Sequence, residues 1–104
     1  MAFKIAPNPT FKGKVHIHVP GEAKPAVITF VFKHKTRAQL DEFQAWAKGK
    51  PDEDVIQEIA EGWDVEGLEF DRDGLTALCQ NHHSAPERIV QAYWSELTGA
   101  RLGN

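Results

Sequence analysis

Polar and apolar residues alternate from Lys14 to Val19. Val15, Ile17 and Val19 fall on one side of an extended chain and Lys14, His16 and His18 on the other, the period-two pattern of a half-buried strand. Pro20-Gly21 ends the run. Residues 26–33 alternate again, with Ile28, Phe30 and Phe32 sharing one face, while Val27, Thr29 and Val31 make the opposite face apolar enough to be partly covered. The spacing predicts a β-hairpin over 13–35. A lone hairpin is marginal in water, so it must dock on helices or gain a third strand. The candidate for that strand is the N-terminal arm, residues 1–12, where Pro7 and Pro9 forbid a helix and favour an extended chain.

From Thr36 onward the period changes to that of helices. Thr36 with Gln39 forms a capping-box signature, and Leu40, Phe43 and Ala47 recur at helical spacing until Gly49-Lys50-Pro51 stops the run. A second helix begins within Asp52-Glu53-Asp54, whose carboxylates suit the positive end of the helix dipole. Its face of Val55, Ile56, Ile59 and Ala60 ends at Gly62, which is expected to take the left-handed conformation that closes a helix. Trp63 then emerges as a structural plug between helices. Asp71 is placed to cap a third helix bearing Leu75, Leu78 and Cys79 and ending near Asn81, although Gly74 in its first turn is a poor helix former. Ser84 with Glu87 reads as a second capping box, with Pro86 in the first turn and a stripe of Ile89, Val90, Tyr93, Trp94 and Leu97 running to near Gly99. The pattern predicts an α+β fold in one domain, 1–104: an extended arm, the hairpin, and a helical part of about four helices over 36–104. Its expected core joins Trp63, Ile59, Leu78, Ile89, Tyr93 and Leu97 between the second, third and fourth helices.

Size and composition agree with one core: 104 residues, of which 41% are hydrophobic. The single Cys79 cannot form an internal disulfide and no charged-apolar-small leader opens the chain, so a reducing cytosol is the expected compartment. No apolar run approaches the ~20 residues that span a bilayer. The net charge of −3 hides a division. Residues 1–50 carry nine Lys or Arg against three acids, a balance of +6, and the remainder three against twelve, a balance of −9. The halves can complement each other within the chain, or steer a basic partner or a second copy of it.

The residues give little sign of catalysis. His16 and His18 share a strand face and Cys79, His82 and His83 cluster after a helix, but structural zinc sites bring two close ligand pairs with two or more cysteines, which are missing. Asp64, Glu66, Asp71 and Asp73 lack the spacing and terminal Glu of a calcium loop. No nucleophile elbow or glycine-rich phosphate loop occurs, and Cys79 falls on the apolar side of its helix. The expectation is a binding protein rather than an enzyme, with no cofactor and no metal. A histidine-metal-dependent enzyme is one alternative. A small nucleic-acid-binding module is another, because Lys12, Lys14, Lys33, Lys35 and Arg37 lie on or beside a hairpin with Phe11, His16 and His18. The acidic half counts against a phosphate backbone as partner.

The chain resembles the tail assembly chaperones of long-tailed bacteriophages and prophages. The likeness runs through Ile5-Ala6-Pro7-Asn8-Pro9-Thr10-Phe11, the Val19-Pro20-Gly21 turn and Phe30-Val31-Phe32-Lys33-His34-Lys35-Thr36, then Ile59 to Asp64 and Ala92-Tyr93. It closes on Leu97-Thr98-Gly99-Ala100-Arg101-Leu102-Gly103-Asn104. The resemblance implies a non-structural factor of virion morphogenesis in the host bacterial cytoplasm. Such a factor would bind the tape measure protein, keep it soluble and help recruit tail tube subunits, and in many such phages a ribosomal frameshift yields a longer form. A chaperone for a helical client needs an apolar surface it can expose safely. Trp46 is the candidate partner-binding residue, lying off the Leu40, Phe43, Ala47 stripe, although a wide buried face could absorb it.

Overall fold

In the computed structural model, which describes residues 3–100, the alternating segments become strands β1 (Thr10–Ile17) and β2 (Ala26–Lys33). They pair antiparallel from Thr10 opposite Lys33 to Ile17 opposite Ala26. The predicted sides hold: Val15, Ile17, Phe30 and Phe32 are buried while Lys12, Lys14 and His16 face out. Val19 lies beyond the last paired residue and is only partly buried. Residues 10–12 of the arm lengthen β1, and residues 3–9 remain exposed.

The third strand comes from elsewhere. Helix α1 (Arg37–Ala47) is followed by α2 (Asp52–Ile59), and the chain passes straight from Ile59 into β3 (Ala60–Trp63). β3 pairs antiparallel with β2, giving the sheet order β1-β2-β3, with Phe30 opposite Trp63, Val31 opposite Gly62, and a bulge before Phe32 opposite Ala60. The expected helix end at Gly62 is therefore corrected to Ile59. Gly62 has no positive φ; those angles fall at Gly21, Gly49, Gly67 and Gly99. The free edge of β2 offers backbone donors and acceptors that one more helical turn could not satisfy, and that pairing overrides the local helical pattern.

The remaining helices are α3 (Arg72–Asn81) and α4 (Ala85–Thr98). The Thr36 capping box forms in full: Gln39 N donates to Thr36 Oγ1 at 3.2 Å and Thr36 N donates to Gln39 Oε1 at 2.9 Å. Asp71 caps α3 by accepting from Gly74 N at 2.8 Å. Gly74 is required there, because a Cβ would overlap the Glu69 carbonyl oxygen. Ser84 does not cap α4 through its side chain; its backbone is already helical, with φ −83 and ψ −8, which turns Oγ away from the first-turn amides. A turn closed by Ala85 N donating to His82 O at 3.1 Å leads into that helix instead, and Gly99 at φ 76 ends it.

The helices cover one face of the sheet. Tyr93 lies at the centre of the core, fully buried, with ring centroids 5.3 Å from Phe32, 6.0 Å from Phe11 and 6.4 Å from Phe43. Gly13 lets α4 approach β1 closely, since a Cβ would come within 2.8 Å of the Phe32 ring and 3.1 Å of Glu96 Cγ. Of the expected shared core, Ile59, Leu78, Ile89 and Tyr93 are buried, whereas Trp63 and Leu97 pack at its margin. Trp63 joins from the sheet rather than from between helices. It stands edge-on to Phe30 at 5.8 Å and Phe70 at 5.2 Å, and its Nε1 donates to Leu68 O at 2.9 Å.

Candidate partner-binding surface

Helix α1 buries only Leu40 and Phe43, so its flanks stay open, and a groove runs along each. The first, about 580 Å³, lies between α1 and the ends of β2 and α2, with Phe43 and Trp46 as its aromatic wall and Lys35, Glu42 and Glu58 among its charges. Trp46 is 40% exposed, one of the few large apolar residues left in water. Its ring sits 6.3 Å from Phe43, with Lys50 Nζ 5.5 Å from its centroid. Lys35 bridges to Glu58 at 3.2 Å and passes 5.7 Å over Phe43. The second groove, about 540 Å³, separates α1 from α4: Leu40, Trp94, Leu97 and Ala100 form an apolar floor under a mixed-charge rim of His34, Lys35, Arg37 and Asp41. An aromatic and aliphatic floor with charges at the edge suits the apolar stripe of an amphipathic helix.

The groups considered for chemistry do not converge. His16 and His18 are exposed on β1 and just after it, and His82 and His83 lie in the α3–α4 turn. Among the described residues no group of three or more His, Cys, Asp or Glu could hold a metal ion. Burial, reinforced by Glu53 and Asp52, pushes the Cys79 thiol up to about 11, a poor nucleophile at neutral pH. Glu53 is held below the usual carboxylate range by a backbone hydrogen bond and then by Thr76, whose hydroxyl donates to it at 2.9 Å. That pair ties α2 to α3. The basic hairpin is divided as well. Lys33 Nζ donates to Gln57 O at 3.0 Å and Lys35 is held by Glu58, while Lys12 and Lys14 stay exposed on β1. Phe11 is stacked on Tyr93 at the core margin rather than displayed to bases.

A three-stranded antiparallel sheet and four helices, with open grooves beside α1, make this a small α+β protein. The chain belongs to the phage tail assembly chaperone family, whose family model matches residues 1–104, the whole sequence. No curated relative and no solved structure matches it significantly. Among the described residues no helix is long and apolar enough to cross a membrane. Sequence reasoning assigned Trp94 and Leu97 to the core stripe and missed them as groove walls. Their half-exposure depends on how far α1 stands from α4, which no local pattern records.

Proposed function

We propose that this protein binds its phage's tape measure protein during tail assembly, keeps it soluble without catalytic turnover, and helps bring tail tube subunits to it in the host bacterial cytoplasm. The observation that carries the reading is the match of the whole chain to the tail assembly chaperone family. The grooves beside α1 support it physically. Trp46 and Phe43 on one side, and Leu40, Trp94 and Leu97 on the other, offer apolar contact to a helical client, and the charged rims limit self-aggregation of the free chaperone. Trp46 is the proposed client anchor, because an exposed Trp supplies a large contact area at small entropy cost. A long client presents its apolar stripe repeatedly, so many copies bound with modest affinity can cover it. Pull-down of tail proteins by the wild-type chain and by Trp46→Ala tests the reading: recovery of tape measure protein that falls with the variant supports it, and absence of that protein from the wild-type eluate refutes it.

A further inference from the structure

The arm before β1 is rooted at the mouth of the Trp46 groove. His34 N donates to Pro9 O at 2.9 Å, one step beyond the pairing of Thr10 with Lys33, and His34 also lines the groove between α1 and the ends of β2 and α2. Outward from that bond residues 3–9 are all exposed. Phe3 and Ile5 are 88% and 89% exposed, the barest large apolar side chains among the described residues. Side chains two apart fall on one side of an extended segment. The arm therefore carries an uncovered apolar face of its own, next to a groove whose aromatic wall is also open to water.

Lengths match between the two faces. Gln39, Glu42, Phe43 and Trp46 line the groove from one side of α1, at helical spacing, and Phe43 and Trp46 lie about 10 Å and about 15 Å along the axis from Thr36. Ile5 and Phe3 stand four and six residues before Pro9 and reach at most ~14 Å and ~21 Å from it. Ile5 can meet Phe43 while Phe3 meets Trp46. Pro7 and Pro9 keep the arm from coiling into a helix and reduce the conformational freedom lost when it lies down.

Charge selects this groove over the one between α1 and α4. Lys4 lies between the two apolar residues of the arm. In the Trp46 groove Lys35 is already held by Glu58, and Glu42, exposed on α1, has no ion pair among the described residues. The other groove sets Lys35 and Arg37 against Asp41 alone, which leaves a surplus of positive charge against Lys4. We propose that the arm is an intramolecular strap: it closes over its own chain's Trp46 groove, with Phe3 and Ile5 on Trp46 and Phe43 and Lys4 against Glu42, and the client displaces it. The inference rests on the reading of that groove as the client site. Closing covers the exposed aromatics while no client is present, and burial of only two apolar side chains, offset by the ordering of the arm, leaves the strap open to displacement by a longer apolar stripe.

Fluorescence of the full chain tests this. Bimane, an apolar fluorophore quenched by a Trp in contact with it, is attached at Phe3→Cys in a Cys79→Ala background, and circular dichroism checks that the fold is kept. The label should be quenched, and Trp46→Phe should restore its emission. Glu42→Lys, which sets a charge against Lys4, should restore it too, and adding Lys4→Glu to that variant should bring the quenching back. Quenching should be independent of protein concentration, as a contact within one chain requires. An emission that ignores Trp46, a reversed charge pair that fails to re-form the contact, or quenching that grows with concentration would each overturn the proposal. Without label, Phe3→Asp/Ile5→Asp should bind tape measure protein about 3- to 10-fold more tightly than wild type, because a larger fraction of the protein is then open, and equal affinity would overturn the competition. The fluorescence needs no client, so a failure of the chaperone reading would show in client binding by wild type and leave the label's response unchanged.

Discussion

The Tyr93 hydroxyl donates to the Lys33 carbonyl at 2.9 Å across a separation of 60 residues. It fastens the last helix to the end of the hairpin, at the point from which α1 and both its grooves depart. Tyr93→Phe keeps the ring and removes this bond, and should cost about 1–2 kcal/mol, read from the urea midpoint with an unchanged slope.

The same residue sets a pH dependence. Burial, helped by the nearby Glu58 charge, raises the Tyr93 phenol from 10.0 to about 12. The unfolded chain then releases this proton before the folded one does, so the contribution is present below pH 10 and is lost as pH rises toward about 12. Thermal midpoints should fall across that window, and the fall should be shallower in Tyr93→Phe. Cys79 adds its own decline between pH 9 and about 11, which Cys79→Ala should remove separately.

Gly74→Ala separates packing from propensity. In an open helix Ala would stabilise by up to ~1 kcal/mol. Here its Cβ would overlap the Glu69 carbonyl oxygen, so the thermal midpoint should drop, by the equivalent of about 1–3 kcal/mol. A rise in the midpoint would show that the turn before α3 yields at no cost.

Trp63→Ala removes the edge-on contacts to Phe30 and Phe70 and leaves the Leu68 carbonyl without its indole donor. Chemical denaturation should show a loss of ~3 kcal/mol, at the lower end for core aromatics because the ring is only half-buried.

Local chemistry was the legible part of the fold. The hairpin follows from the alternation of Val15, Ile17, Phe30 and Phe32, and the start of α1 from Thr36 and Gln39, because every group involved lies within a few residues of its partner. β3 was hidden because Ala60–Trp63 looks locally like the end of a helix, and its strand state is decided by the edge of β2, far away in sequence. Ser84 misled for the opposite reason: its spacing to Glu87 is right, but the turn from His82 has already set its backbone in the helical region. The exposure of Trp46 could be read from its departure from the Leu40, Phe43, Ala47 stripe. The grooves around it could not, since they depend on the spacing of α1 from α2 and α4.

Substituting Trp46 probes the client surface apart from the fold. At 40% exposure the ring contributes little to the core, so Trp46→Ala should shift stability by less than about 1 kcal/mol. It should nonetheless weaken client capture by about 10-fold or more, the cost of losing an aromatic anchor. Denaturation and pull-down on the same preparation check both parts.

Co-expression of this chain with its cognate tape measure protein, with the soluble fraction of the client measured against chaperone dose, goes to the centre of the proposed function. Soluble tape measure protein should rise with dose, fall when Trp46 is replaced by Ala, and be unaffected when His16, His18, His82 and His83 are changed to Ala together. A client that stays insoluble beside abundant, folded wild-type protein would contradict the chaperone role, and loss of activity in a folded four-histidine variant would return the function to the histidines.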